Sequence, residues 1–389
     1  MKYDFDEVIS RKNTQSSKWD NVGSRIGNTE ALPMWVADTD FRCPQPVVDA
    51  VKQRAEHVIY GYPYVASEFY DATISWVKRR HGWDIKREWI LFTTGIVPVI
   101  NTMIQAFTDV GDEVIIQEPV YHQFRVPIMD NERVISSNDL VYEGGRYSID
   151  FDDLERRASN PRAKLMILCS PHNPVGRVWR HDELSRVSKI CIAHGVIMIS
   201  DEIHSDLVLN GNKHTPTGAI DERYAMNTVT CFAPSKTFNM AGLRGSGIVV
   251  PDSKIFVGLE AQFKKNKSIQ QNVFAVPAYV AAYTKCDDYL EQLIPYIEDN
   301  VRYLDDFLKT NMPRIKLVQP ESTYLAWLDC ADLGISGSEL SDFFINRCLV
   351  AISRGEQFGR NGTKFVRINI ACPRVTLVDA LDRILAQYK

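Results

Sequence analysis

Five short aliphatic or β-branched runs, at residues 113–117, 164–169, 196–200, 228–232 and 247–250, constrain the fold of this chain more than any other feature. Between two of them, residues 182–194 carry apolar side chains at 184, 187, 190, 191 and 193 and are followed by Gly195, a helical period with a helical stop. Strands that are apolar along their whole length need cover on both faces. Alternating with amphipathic helices, they predict an α/β architecture with a mostly parallel sheet covered by helices. Ligands in such sheets sit beyond the carboxyl ends of the strands, so the residues that come after each run are the candidates for chemistry.

Those residues are distinctive. Residue 117 is followed by Glu118, Pro119, Val120 and Tyr121, and residue 169 by a turn containing Asn173. Asp201, Glu202, Ile203 and His204 follow the run at 196–200, and Ser235, Lys236 and Thr237 follow that at 228–232, with Arg244 further on. A lysine beside a buried strand is costly as an unpaired ammonium and tends to lose its charge. The neutral amine is a nucleophile, used typically as a Schiff base to a carbonyl or to pyridoxal phosphate. Ser235 and Arg244 suit a phosphate, because a hydroxyl and a guanidinium fork are natural phosphate partners. Further upstream, the apolar positions 96, 100, 103, 104 and 107 keep helical spacing with Pro98 in the first turn, so a helix begins after Thr94 and Gly95. The free amides of Gly95, Ile96 and Val97 could receive an anion there. Taken singly, each feature has an ordinary explanation as a loop lysine, a helix start or a surface acid.

The longer pattern Ser-Lys-Thr-Phe-Asn-Met-Ala-Gly-Leu-Arg-Gly, residues 235–245, resembles the cofactor-lysine segment of the aspartate aminotransferase superfamily, the fold-type I pyridoxal phosphate enzymes that include the class I and II aminotransferases. The resemblance spans Met34 to Arg367. It implies a cofactor on Lys236, a phosphate cup of Gly95, Ile96, Val97, Ser235 and Arg244, and Tyr121 stacked on the pyridine ring. It further implies Asn173 at the ring's 3-oxygen and Asp201 at the ring nitrogen, where a carboxylate keeps the ring protonated and able to take up electrons from Cα. Lys236, Tyr121 and Asp201 are the implied catalytic set. Arg367, on the otherwise apolar stretch 365–369, wants an anionic partner; a structural ion pair would serve, and the family uses this arginine to clamp the substrate α-carboxylate. The aromatic turn at 60–64 reads equally well as a packed loop. In the family, a tyrosine of this region reaches the neighbouring subunit's cofactor phosphate, a role that falls to Tyr62, with Tyr60 the alternative. A homodimer with shared active sites is the corresponding expectation.

Two features resemble the C-S lyase branch of the superfamily. Met-Trp-Val-Ala-Asp-Thr-Asp-Phe, residues 34–41, is similar to a segment that borders the substrate pocket there, which makes Trp35 and Val36 expected substrate neighbours beside Asn173 and Arg367. Thr39 departs from the methionine more usual in that branch. Asp-Glu-Ile-His, residues 201–204, places His204 where many aminotransferases carry tyrosine; it could bond near the cofactor, tune Lys236, or be a satisfied structural histidine. The implied reaction is β-elimination from L-cystathionine or a related cysteine thioether, giving thiol, pyruvate and ammonia. An aminotransferase acting on an L-amino acid is the alternative. A regulatory protein-binding role is a third reading, since the branch includes a member that binds a transcription regulator.

Length and composition set the frame. At 389 residues the chain exceeds the size at which a single core keeps growing. The expected division is a segment at 1–48 joining the small domain, a large cofactor-binding domain at 49–286, and a small α+β domain at 287–389. The last opens with a linking helix at 287–310, interrupted by Pro295, and continues with strands near 315–318, 324–328 and 365–370. A formal net charge of -4 gives no electrostatic reason to expect nucleic acid or a membrane surface as partner. Eight scattered cysteines without a C-x-x-C pair read as reduced core residues, not metal ligands, and with no apolar run of membrane-spanning length a cytoplasmic enzyme is expected.

Overall fold

Strands β1 (Ile90–Thr93), β2 (Glu113–Ile116), β3 (Val134–Ser137), β4 (Ala163–Cys169), β5 (Ile197–Asp201), β6 (Thr228–Phe232) and β7 (Ser246–Val249) form one sheet in the order β1-β7-β6-β5-β4-β2-β3 in the computed structural model, which describes residues 1–388. Lys389, the last residue of the expected small domain, lies outside the described residues. Only β7 runs against its neighbours; the other strands are parallel. Edge strand β3 has no apolar run to announce it, because Ser136 and Ser137 occupy half of it and Val134 is exposed.

Helices packed around the sheets include α1 (Gln45–Glu56), α2 (Ser67–His81), α3 (Ile96–Phe107), α4 (His181–Ala193), α5 (Ser253–Asn266), α6 (Ala275–Lys285), α7 (Asp287–Asn311) and α8 (Arg374–Gln387). Period-2 alternation sends Val114, Ile116, Leu165, Ile167 and Ile199 to one face of the large sheet, where Ile100 and Met103 of α3 and Leu259 and Phe263 of α5 cover them. Ile115, Met166, Leu168 and Met198 go to the other, under Leu184, Val187 and Cys191 of α4. Both faces are therefore dry, as the apolar runs require. At the β1–β7 end the cover is aromatic: Phe69 of α2 packs 5.4 Å from Phe92 and 4.6 Å from Tyr279, and Trp76 stacks on Tyr283 at 4.7 Å.

A second sheet is wholly antiparallel. Its strands are β8 (Lys316–Val318), β9 (Leu325–Asp329), β10 (Ser353–Arg354) and β11 (Phe365–Asn369), in the order β8-β9-β11-β10. Helices α7 and α8 bury Leu304, Leu308, Leu377 and Leu381 in the same core as Leu328 and Ile368. Helix α7 is not interrupted at Pro295, contrary to expectation. Proline removes one backbone bond, but Leu290, Leu293, Ile297 and Val301 are buried on both sides of it and carry the helix through. The N-terminal segment docks beside this sheet: Leu32 and Pro33 pair in parallel with Val350 and Ala351 as a separate two-stranded sheet, and Asn369 N of β11 donates to Met34 O at 2.8 Å. Fully buried Lys18 holds the segment beyond, donating to Asp40 at 2.7 Å, while Arg11 bridges Asp38 and Asp40 at 2.7 and 2.8 Å. Residues 34–41 are thereby fixed between the two sheets. Among the described residues, no helix is long and apolar enough to cross a membrane.

Candidate active site

The carboxyl ends of β1, β4, β5 and β6 surround a cavity, and a different sequence signal places each wall. After β1 the chain turns at Gly95, whose φ of +146° suits glycine, and enters α3 with no side-chain cap. The amides of that first turn lack intrahelical partners. Thr94, Gly95, Ile96 and Val97 line one end of the cavity together with Ser235, Arg244 and Ser246. Arg244 is exposed, has left-handed backbone, and pairs with no described carboxylate. Free amides, hydroxyls and an unpaired guanidinium make this end receptive to an anion.

Lys236 lies on the turn after β6 and donates from Nζ to Ala37 O at 2.6 Å. Burial lowers its pKa, an effect that Arg367 reinforces and that Asp38 and Asp201 oppose. Asp201 ends β5. Its carboxyl is pushed up to about 7 by burial, against the pull of the Ile203 amide, 3.2 Å away, and of Lys236. A proton on a nearby ring nitrogen would supply the cation that this carboxyl lacks. Tyr121 follows β2 and half-buries its ring at the cavity, edge-on to His122 and Phe124 at 5.1 and 5.8 Å.

Arg367 enters from the second sheet. Its guanidinium is buried and has only neutral oxygens as partners: Asn173 Oδ1 at 3.0 Å, Trp35 O at 2.9 Å and Ser353 Oγ at 3.0 Å. Nε has no partner, and burial depresses the pKa to about 10. The face of Phe358 lies 4.8 Å from the charge. A structural ion pair, the ordinary explanation for an arginine on an apolar strand, is therefore missing. His204 is also buried with Nδ1 unpartnered, near Tyr324 at 6.3 Å, and burial together with Lys236 and Arg367 pushes it down to about 3, so it is neutral. It is not a satisfied structural histidine.

The cavity thus brings together Gly95, Ile96, Val97, Tyr121, Asn173, Asp201, His204, Ser235, Lys236 and Arg244. Trp35 and Val36 do not border it. Ala37 does, and the two preceding residues take part through backbone oxygens, Trp35 O toward Arg367 and Val36 O toward Asn369 at 2.6 Å. Tyr62 is fully exposed on the irregular stretch 58–66 and does not line this chain's cavity; the hydroxyl of Tyr60 is occupied by Ala55 O at 2.7 Å. No sequence signal pointed to Ser353, or to Tyr324, whose hydroxyl lies 3.4 Å from Ala37 O. Tyr324 sits at the head of an apolar run and reads as core. The donor set fits pyridoxal phosphate: an anion cup, a buried carboxyl lacking a cation, a polar amide at Asn173 and a lysine amine all line one cavity. Among the described residues, no cluster of histidine, cysteine and carboxylate side chains could hold a metal.

Comparison with known proteins agrees with this geometry. The family model for class I and II aminotransferases matches residues 36–384. Cystathionine beta-lyase PatB of Bacillus subtilis is 44% identical over 98% of this chain and 99% of its own length. Protein MalY of Escherichia coli is 33% identical over 96% of each chain. The crystal structure of cystalysin from Treponema denticola, which contains a pyridoxal 5'-phosphate cofactor, superposes with a TM-score of 0.96 at 36% identity, covering 100% of this chain and 99% of that one.

Asp201 makes a pH signature in the cofactor-free protein. With its carboxyl at about 7 in the fold and near 4 when unfolded, the folded state holds the proton more tightly. Asp201 therefore subtracts stability as pH rises from about 4 to about 7. His204 acts in the opposite sense, since its proton is lost on folding, so the measurement is the difference between two proteins. Asp201→Asn should gain stability relative to wild type across that window, by about a few kcal/mol at about 1.4 kcal/mol per pKa unit. Parallel denaturation curves at every pH would show that the carboxyl is not perturbed.

Proposed function

The chain belongs to the class I and II aminotransferase family, and from that membership and the chemistry of the cavity we propose how it works as a pyridoxal-phosphate-dependent carbon–sulfur β-lyase, cleaving L-cystathionine or a related cysteine thioether to thiol, pyruvate and ammonia. The observation that carries the site assignment is a trio of mutually unneutralised groups: Lys236 and Asp201, which line the cavity, and Arg367, which stands behind it on its bond to the lining Asn173. Bound pyridoxal phosphate supplies a protonated ring that takes up the electron pair left when Cα loses its proton.

The chain's own residues do the rest. Gly95, Ile96 and Val97 with Ser235 and Arg244 would hold the phosphate, Tyr121 would meet the ring, Asn173 its 3-oxygen, and Asp201 would keep its nitrogen charged. Arg367, lacking any carboxylate of its own, binds the substrate α-carboxylate through its guanidinium while Phe358 and Asn173 fix its plane. Burial favours the neutral form of the Lys236 amine, which can accept the Cα proton at Nζ. The electron pair left at Cα then forms the Cα–Cβ double bond as the Cβ–S bond breaks; its pair leaves on sulfur, which takes a proton to become the thiol, and water hydrolyses the released enamine to pyruvate and ammonia. His204, neutral and with Nδ1 free, offers a hydrogen bond beside Lys236 without adding charge.

Tyr62 completes the partner subunit's site across a two-fold axis. Val58, Ile59, Tyr60, Tyr62 and Tyr64 form an exposed apolar stretch, and a groove of mixed character between α1 and α6, lined by Val276 and Val280 but also by Arg54, His57, Glu68 and Lys285, runs beside it. That much apolar surface in one place supports an interface. Eight free cysteines, seven of them buried, support a reducing cytoplasm.

Given L-cystathionine and no keto acid, the loaded enzyme should release pyruvate and homocysteine over many turnovers; a single turnover that resumes only on addition of 2-oxoglutarate would mark an aminotransferase instead. Mixing inactive Lys236→Ala chains with inactive Tyr62→Phe chains should restore part of the activity, since one site of each mixed dimer would be intact. No recovery after demonstrated subunit exchange would remove Tyr62 from the partner's site.

A further inference from the structure

The turn that carries Lys236 belongs to no helix or strand. Two backbone bonds, Phe238 N to Pro234 O at 2.9 Å and Met240 N to Ser235 O at 3.1 Å, give it shape but do not tie it to the rest of the molecule. Side chains do that. On one side Asn239 donates to Thr39 O and Phe41 O, both at 2.9 Å, and so binds the turn to the N-terminal segment. On the other, Thr237, next to the lysine and fully buried, donates from Oγ1 to Asp206 Oδ2 at 3.0 Å. The other oxygen of Asp206 receives Trp76 Nε1 at 3.1 Å and lies 3.1 Å from His81 Nε2. Burial alone would raise the Asp206 carboxyl; His81, the charge of Arg80 and the Thr237 hydrogen bond together outweigh it and leave the carboxyl below its ordinary range, so it is an acceptor on both oxygens.

We propose that Asp206, clasped by His81 and Trp76 of α2, is a positioning residue for Lys236, acting through the hydroxyl of Thr237. The inference rests on the reading of Lys236 as the amine that carries the cofactor. The charges that act most on the Lys236 amine are those of Asp38, Arg367 and Asp201, whereas Asp206 reaches the lysine's turn through a hydrogen bond. The geometry also accounts for an otherwise costly group. A carboxylate buried between α2 and the sheet is tolerated only when its oxygens are bonded, and here the third donor is the residue adjoining Lys236. A second pair lies alongside: His214 is 2.8 Å from Glu202 Oε2, its ring is 5.5 Å from that of His81, and Glu202 Oε1 accepts from Ser200 Oγ at 2.8 Å and Thr217 N at 3.0 Å. Arg80 is the remaining charge acting on Asp206. Glu202 adjoins Asp201 as Thr237 adjoins Lys236, but of these two histidine-bonded carboxylates only Asp206 reaches the lysine's turn by a side-chain bond.

Thr237→Val removes the bond at nearly constant volume, Thr237→Ser keeps it, and Asp206→Asn turns one acceptor into a donor. The readouts on pyridoxal-phosphate-loaded protein are cofactor bound per chain, the pH midpoint of its visible band, and kcat and KM for L-cystathionine. With full cofactor content, Thr237→Val should lower kcat about tenfold, the scale of one lost hydrogen bond, leave KM within about twofold, and move the band's midpoint by about half a pH unit or more. Thr237→Ser should return all three, and Asp206→Asn should shift kcat and midpoint in the same direction as valine. Should the valine variant fail to fold, the asparagine variant carries the same readouts. An unmoved midpoint and kcat, or a kcat loss fully matched by lost cofactor, would make Asp206 purely structural and overturn the proposal. A wild-type protein with no visible band would overturn the reading of Lys236 beneath it.

Discussion

The structure depends on holding three ionisable groups in a dry place without letting them neutralise one another. Lys236 feels the charges of both Asp201 and Arg367, yet no pair among the three forms a salt bridge, and each is shifted by burial away from its charged form. Isolated charges in an apolar interior are expensive. That expense is sustained by a sheet whose strands are buried on both faces, with α3 and α5 on one side and α4 on the other. A parallel arrangement also gathers the ends of β1, β4, β5 and β6 at one edge, so residues far apart in sequence line one cavity.

Ala37 and the groups behind the cavity wall come from elsewhere. Arg367 stands on the antiparallel sheet, and residues 34–41 run between the sheets, giving Trp35 O to Arg367 and Ala37 O to Lys236. What keeps that segment in place is the buried Lys18–Asp40–Arg11–Asp38 cluster together with parallel pairing to Val350 and Ala351. Residues 34–41 thus contribute backbone oxygens held in fixed positions, while Asp38 and Asp40 anchor the segment.

Much of this was legible in the sequence, and the boundary of legibility is physical. Runs such as 164–169 and 228–232 announce fully buried strands, because only a strand covered on both faces tolerates such apolarity, and the chemistry after each run is placed by sheet geometry. Edge strand β3 escaped because it is half polar and half exposed. Pro295 misled, since a breaker's local cost is overridden when buried leucines and isoleucines flank it in α7. Trp35 and Val36 stood in the right segment, but a sequence motif cannot tell whether side chain or carbonyl does the contacting. The bond between Asp206 and Thr237 left no trace, because it joins residues 31 positions apart whose types are ordinary in turns.

Lys236 Nζ is the atom on which the proposed chemistry turns. Borohydride treatment of the pyridoxal-phosphate-loaded protein, followed by proteolysis and mass mapping, tests it most directly, because reduction fixes a Schiff base where it stands. The cofactor mass should appear on the peptide containing Lys236 and on no other lysine. Label on a different lysine, or cofactor that washes away unreduced from a fully loaded protein, would contradict that role.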